Sequence, residues 1–240
     1  MSTRRIFCAG PDDRSALREL IGRGGFSRTL RKPVPAEERG RTVFIKPGSE
    51  DLEITIAGDD DRVPPVALDV VFAHGSPSEP VHLFGLSFDP EERDETAWRR
   101  AIETTFREQN PIRIPGADGY ALTGPFGPVT LLPLPWWDPA KAHPELTEKQ
   151  CLERIAGHAL ATVHPNLGEL VDQWLPQARE AGRPPSWKMA ARFWNGLVHA
   201  DASGAGFFDK VFGQDHALGE GVRRALQGSM LWRGLEQLCA

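Results

Sequence analysis

The sequence is poor in cysteine, and the three cysteines it contains are far apart. Cys8, Cys151 and Cys239 are an odd number, and no Cys-x-x-Cys pair occurs. A disulfide framework needs an even set of cysteines, and a structural zinc site needs paired ligands at short spacing. The sequence therefore argues against both a disulfide framework and a structural zinc site, and is typical of a protein from a reducing compartment.

A long hydrophobic run is also missing. No apolar stretch approaches the roughly 20 residues that cross a bilayer as a helix. The opening MSTRR leads into only a few apolar residues, too few for the apolar core of a secretory signal. We therefore predict a soluble, cytoplasmic protein that has no membrane partner.

The sequence lacks an excess of positive charge. It contains 28 Lys and Arg against 33 Asp and Glu, for a formal net charge of −5, and its pI is about 5.8. This balance argues against broad coating by nucleic acid, although a local basic patch can still contact phosphates. The best candidate for nucleic-acid binding is the segment with Arg28, Arg31 and Lys32. The alternative is a solvated loop beside Glu37 and Glu38.

What the sequence does contain is an alternation of strands and helices in its first half. The 240 residues are 40% hydrophobic and 25% charged, which is enough to bury a sizeable core. We predict strands over residues 42–45, 52–56, 67–72, 81–88 and 129–134, and helices over residues 13–21 and 94–108. The pattern predicts an α/β domain over residues 1–134, with a mostly parallel sheet flanked by helices.

From residue 135 onward the pattern is helical. Thr147 and Gln150 match a capping box, in which side chains satisfy free backbone N–H groups at a helix start. Helices are predicted to about residue 163, over 167–181, over 186–198 and twice more before residue 240. Cys151 and His158 lie two turns apart on the first of these, too far for a direct hydrogen bond, so we interpret both as packing residues. We predict a helical C-terminal region over residues 135–240.

Two predicted strands of the first half end in acidic residues, each ahead of a helix. Asp12 and Asp13 follow a strand predicted over residues 5–9, and Asp89 and Glu91 follow the strand over 81–88. If the strands are neighbours in a parallel sheet, their acidic ends meet, and carboxylates are the ligands that Mg²⁺ prefers. The alternative for each is helix capping, because Asp accepts bonds from free N–H groups at helix starts.

These two motifs resemble those of Toprim domains, which occur in topoisomerases, primases and overcoming-lysogenization-defect nucleases. Residues 6–13 (IFCAGPDD) are similar to the first motif, a strand followed by Glu-Gly-x-x-Asp, and residues 86–91 (LSFDPE) are similar to the second, Asp-x-Asp. Most of the chain resembles small bacterial Toprim-like proteins of the DUF3226 kind, in which a helical part follows the domain. The resemblance implies a Toprim-like, Rossmann-like sheet and descent from metal-dependent enzymes that process nucleic acid.

The sequence departs from the Toprim pattern at Ala9, where the resemblance implies a glutamate that binds metal or transfers protons. Alanine can do neither, so we expect a degenerate, non-catalytic protein that acts through a protein partner or as a homo-oligomer, in a bacterial defence or repair assembly. One alternative is an active nuclease, with weakly held Mg²⁺ or Mn²⁺ on Asp89 and Glu91 and with Asp12 or Asp13 as a further ligand. Another is an enzyme that acts on a phosphate ester of a small molecule.

Overall fold

The computed structural model describes residues 3–24, 26, 28–30, 41–75, 77–138, 146, 149–182, 185–187, 189–190 and 216–240. The chain divides into two compact units. Unit 1 comprises Met1–Phe88, Arg93–Pro135 and Gly228–Ala240, and unit 2 comprises Asp89–Glu92 and Trp136–Gln227. The predicted α/β fold with C-terminal helices is confirmed.

Unit 1 is built on a mixed sheet, which has eight strands within the described residues. They are β1 (Thr3–Cys8), β2 (Thr29–Leu30), β3 (Arg41–Ile45), β4 (Asp51–Ile56), β5 (Leu83–Phe88), β6 (Ile112–Arg113), β7 (Tyr120–Gly124) and β8 (Gly127–Pro135). Their order is β2-β3-β4-β1-β5-β8-β7-β6. The central strands β4, β1, β5 and β8 are parallel, and antiparallel strands complete both sides.

The centre of the sheet is buried on both faces. Ile6 and Phe7 are adjacent in β1, point to opposite faces and are both fully buried. The Phe7 face belongs to a core cluster with apolar residues of α2 (Val63–Leu68) and α3 (Glu95–Thr105). Helices therefore cover this face along the parallel strands, as a βαβ arrangement requires.

The helix α3 and most of the predicted strands are confirmed. The helix predicted over 94–108 begins at Glu95, and its N-cap Asp94 accepts a hydrogen bond from the N–H of Ala97 at 2.7 Å. The strands predicted over 42–45, 52–56, 81–88 and 129–134 correspond to β3, β4, β5 and β8. The strand β7 was not predicted, because it lies in a segment rich in glycine and proline.

The strand predicted over residues 67–72 is wrong, because this segment is helical. The helix α2 continues directly into a π-helical turn, Asp69–Ala73. Val63, Ala67 and Val71, spaced four residues apart, are the buried residues of the segment and form one helical stripe. The β-branched composition favoured a strand, but burial of this stripe against the core determines the structure.

The last helix of the chain, α7 (Met230–Cys239), belongs to unit 1 and packs on β8 and β5. Glycines permit the close approach: a Cβ at Gly234 of the helix would lie 2.3 Å from Leu134 Cδ2 of β8, and one at Gly85 of β5 would lie 2.9 Å from Leu238 Cδ1 of the helix. Leu235 and Leu238 of the helix are fully buried. The sequence pattern placed this helix in the C-terminal region, whereas its apolar face completes the core of the α/β unit.

Unit 2 contains α4 (Leu152–Val163), α5 (Pro165–Glu180) and α6 (His216–Leu226) in its described part. The helix α4 contacts both of the others. The predicted helix over 167–181 is confirmed as α5. The capping box predicted at Thr147 and Gln150 is wrong, because α4 begins at Leu152 with Cys151 as its N-cap, and Gln150 pairs with Glu91 ahead of the helix. Thr147 itself and residues 191–198 lie outside the described residues. No helix among the described residues is both long enough and apolar enough to cross a membrane.

Candidate functional site

The parallel centre of unit 1 has a switch point between β1 and β5. After β1, the chain forms β2, β3 and β4, which all lie on one side of β1 in the strand order. It then crosses over to β5, which lies on the other side of β1. Cys8 of β1 pairs with Ser87 of β5, so the carboxyl ends of the two strands are adjacent. Ligands of doubly wound α/β proteins bind in the crevice outside such strand ends. The condition on which the sequence argument for a metal site depends, that these two strands are parallel neighbours, is met, and their ends form the candidate site.

The first acidic motif is the N-terminus of α1 (Pro11–Arg23). Gly10 is the N-cap, and the Asp13 carboxylate accepts a hydrogen bond from the N–H of Gly10 at 3.2 Å. Pro11 occupies the first helical turn, where its missing N–H costs nothing. Asp12 is partly exposed on the same turn. Asp13 thus has the capping role that the sequence offered as an alternative to metal binding.

Ala9 is 8% exposed at the end of β1. The carbonyl of Ala9 accepts a hydrogen bond from the N–H of Gly58 at 3.0 Å, which extends the pairing of β1 with β4 beyond the strand. A methyl group therefore occupies the position at which the Toprim resemblance implies a carboxylate.

The second acidic motif, Asp89 and Glu91, belongs to unit 2. The Asp89 carboxylate accepts a hydrogen bond at 3.0 Å from the N–H of Leu152, the first residue of α4. Glu91 forms an ion pair with Lys149, and their side-chain hydrogen bond raises the pKa of the Lys149 ammonium. Backbone bonds of 2.9 and 2.8 Å join Glu91 to Gln150. Both carboxylates thus hold the segment that leads into α4.

The candidate metal ligands are divided between the two units of the chain. Within the part of the chain that the structure describes, no group of three or more His, Cys, Asp or Glu side chains could hold a metal ion. Asp12 and Asp13 belong to unit 1, and Asp89 and Glu91 belong to unit 2. The donors that the sequence offered for Mg²⁺ or Mn²⁺ are carboxylates of the right chemistry, and three of the four have the structural partners described above.

Ser87, at the end of β5, was not singled out from the sequence. Its side chain is fully buried, and its hydroxyl has no hydrogen-bond partner among the described residues. Beside it, the Cys8 thiol lies 3.7 Å from the carbonyl of Gly10, and burial raises the pKa of this thiol. The feature of the sequence that could have identified Ser87 is the presence of a polar residue within an otherwise apolar strand. A thiolate nucleophile at Cys8 is disfavoured at neutral pH.

Replacement of Ser87 by alanine should raise the free energy of unfolding by about 1 kcal/mol, because it removes a buried hydroxyl that lacks a partner. The matched control is Ser229→Ala, which removes the N-cap of α7, where the Ser229 hydroxyl accepts a bond from the N–H of Trp232 at 3.1 Å. The Ser229→Ala change should lower the free energy of unfolding by about 1 kcal/mol. Urea unfolding measures both, and a loss of stability in Ser87→Ala would contradict the assignment.

Arg28, the first residue of the predicted nucleic-acid-binding patch, is buried and has structural partners. It is 5% exposed, and its guanidinium donates to the carbonyls of Cys239 at 3.1 Å and Glu50 at 2.8 Å. Arg31 and Lys32 lie outside the described residues. The structure therefore uses Arg28 to bind the C-terminus of α7, where a cation satisfies carbonyls that lack helical partners.

A further polar cluster lies inside unit 2, around Asp138. Its carboxylate forms a hydrogen bond with Nδ1 of His158 and lies 3.8 Å from Nε of Arg154. The His158 ring meets the ring of Trp187 edge-on at a centroid distance of 4.8 Å. His158 was interpreted as a packing residue, and no sequence spacing indicated Asp138. Burial raises the pKa of the Cys151 thiol at the start of α4, which disfavours a cysteine nucleophile there as well.

Comparison with known proteins supports the fold described above. No protein-family model matches the chain, and no curated protein matches it. The chain is similar to the crystal structure of the hypothetical protein PH0156 from Pyrococcus horikoshii OT3, with a TM-score of 0.76. The two sequences are 19% identical, and the alignment covers 100% of each chain. At this identity the likeness shows a shared fold, an α/β sheet flanked and followed by helices.

Proposed function

We propose that this chain is a degenerate Toprim-like protein that has no catalysis of its own and acts through a protein partner in a cytoplasmic defence or repair assembly of a bacterium. The topology supports descent from that class, because the strands that precede the two acidic motifs are parallel neighbours. The strands that lead into the two motifs also meet at a switch point, the place where α/β proteins carry their chemistry.

The observation that carries the proposal is that the acidic side chains form hydrogen bonds and an ion pair within the protein. The Asp13 carboxylate binds the N-cap of α1, that of Asp89 binds the start of α4, and that of Glu91 binds Lys149. Each of these carboxylates is oriented by a bond within the protein, and Ala9 offers no oxygen ligand at all. Because cation affinity depends on the number and charge of the oxygen ligands, such a set fits Mg²⁺ or Mn²⁺ poorly.

The outer strands of the sheet support a role in protein binding. Within the described residues, β2 and β6 are the outermost strands. Leu30 of β2 is 44% exposed, and Ile112 of β6 is 66% exposed. Edge strands with exposed apolar side chains are a common template for an added strand from a second chain. A second copy of the chain or a different protein could supply that strand.

In the test, the purified protein is incubated with plasmid and with single-stranded DNA in Mn²⁺. We expect no cleavage above the buffer blank, because the sheet end lacks the glutamate at position 9. The Ala9→Glu variant restores that carboxylate and should introduce Mn²⁺-dependent cleavage. Gel electrophoresis of the products measures the outcome, and a thermal melt of the variant verifies its folding.

The control separates loss of a metal ligand from loss of a helix cap. Asp89→Asn removes the charge at the start of α4, and Asp94→Asn makes the same change at the N-cap of α3. Cleavage by the unmodified protein that disappears in Asp89→Asn but persists in Asp94→Asn would overturn the proposal and identify an active nuclease.

A further inference from the structure

Unit 1 contains a cavity of about 490 Å³, built from residues of β1, the π-helical turn and the segment that leads into β5. Its lining includes Arg5, Asp69, His74 and Glu79, together with the apolar side chains of Val70 and Val81. The volume lies within the range of about 300 to 1,000 Å³ that is usual for small-molecule sites. The acidic motifs discussed above are not among its lining residues.

Arg5 is the most buried charged group of this cavity. Its side chain is 16% exposed, its Nη2 lies 3.8 Å from the Glu53 carboxylate, and its buried Nε has no hydrogen-bond partner among the described residues. A buried donor without an acceptor is costly, and an oxygen atom of a bound molecule would remove that cost.

The more exposed part of the cavity carries carboxylates. The side chain of Asp69 is 60% exposed, and that of Glu79 is exposed as well. Asp69 Oδ1 lies 3.0 Å from the ring Nδ1 of His74, and the backbone N–H of His74 donates to the Asp69 carbonyl at 2.8 Å across the π-helical turn. Turns of this kind are frequent at functional sites, and this one holds a carboxylate and an imidazole together at the cavity.

The wall that carries His74 is held by close packing at Gly75. A Cβ at this position would lie 2.6 Å from the carbonyl oxygen of Val71 and 3.3 Å from Cε2 of Phe126. A side chain could not be accommodated there without movement of the backbone. A residue larger than glycine at this position would therefore displace the wall of the cavity.

The charges select the class of ligand. A simple anion would satisfy Arg5 Nε but would meet the carboxylates of Asp69 and Glu79, and a simple amine would leave the Arg5 donor without an acceptor. A molecule that carries both a carboxylate and an ammonium group provides an acceptor for Arg5 and a cation for Asp69 and Glu79. We infer that this cavity binds a small zwitterion of the α-amino-acid type, with its carboxylate on Arg5 and its ammonium on Asp69 and Glu79.

The test is a thermal-shift and calorimetric screen of the intact protein against the twenty common L-amino acids. We expect at least one of them to raise the melting temperature, because a ligand that binds only the native state stabilises it. The deamino and decarboxy analogues of the best amino acid should each bind at least tenfold more weakly. If no amino acid raises the melting temperature, or if one analogue binds as well as the parent, the inference is overturned.

Variants then locate the bound molecule. Arg5→Met and Glu79→Gln should each weaken binding at least tenfold, whereas Arg23→Met should not, since Arg23 lies on α1 and pairs with Glu19. Glu79 is exposed, so its variant remains informative even if Arg5→Met fails to fold. Unchanged affinity in Glu79→Gln would overturn the assignment. The DNA-cleavage assay does not bear on this site, so the inference and the proposed function can fail separately.

Discussion

A chain that ends at Gln227 should lose the cooperative unfolding transition of unit 1. The missing helix α7 buries Leu231, Leu235 and Leu238 completely, together with most of Trp232. Burial of one such side chain is worth about 1.5 to 3 kcal/mol, so their joint loss is comparable with the whole stability of a typical domain, about 5 to 15 kcal/mol. Urea unfolding followed by near-ultraviolet circular dichroism measures the transition.

The controls address whether α7 itself or the length of the chain matters. A chain that joins residue 135 to residue 228 through a flexible Gly/Ser linker keeps α7 and should unfold cooperatively. A chain of residues 1–135 alone should not, although the sequence pattern predicts a domain that ends at 134. Cooperative unfolding of residues 1–135 with an unchanged midpoint would contradict the role assigned to the helix.

Replacement of Arg28 by methionine should lower the free energy of unfolding by about 3 kcal/mol. Hydrogen bonds of charged groups contribute about 1.5 to 3 kcal/mol each, and Arg28 donates to the carbonyls of Cys239 and Glu50. Methionine keeps much of the side-chain volume but leaves the Glu50 carbonyl without this donor. Lys46 also donates to the Cys239 carbonyl, at 3.3 Å, which limits the loss there. Urea unfolding gives the value.

Two further variants separate a structural role of Arg28 from phosphate binding. Arg23→Met removes an exposed i,i+4 ion pair with Glu19 and should cost at most about 0.5 kcal/mol. Arg28→Lys keeps the charge but replaces the planar fork of the guanidinium, whose Nε and Nη1 reach two different carbonyls, by a single ammonium nitrogen. It should therefore recover little of the lost stability. If Arg28→Lys is as stable as the unmodified protein and Arg28→Met binds DNA more weakly, then the role of Arg28 is phosphate binding and the structural assignment is wrong.

Local signals predicted the elements whose partners lie close in the sequence. The cap of α3 is readable because Asp94 and Ala97 are three residues apart. The hairpin of β3 and β4 is readable because Gly48, with φ of 76°, lies in the turn between two apolar runs. Asp13 and Gly10 are equally close, so the capping alternative at α1 was visible from the sequence.

The segment over residues 67–72 shows where local preference fails. A short apolar run with valines at positions 66, 70 and 71 is compatible with a strand and with a buried helix. Val63, Ala67 and Val71 of the helical form fill one stripe of the core, and that burial outweighs the modest preference of valine for strands.

The sequence by itself determined the α/β class, the central strands and the caps of α1 and α3, since hydrophobic period and capping act over a few residues. The tertiary structure alone decided that Arg28 binds Cys239, 211 residues away, and that Asp89 holds the start of α4. It also decided that α7 completes the first unit. A buried charge or carbonyl must find a partner wherever the folded chain brings one, and no local pattern states which residue that is.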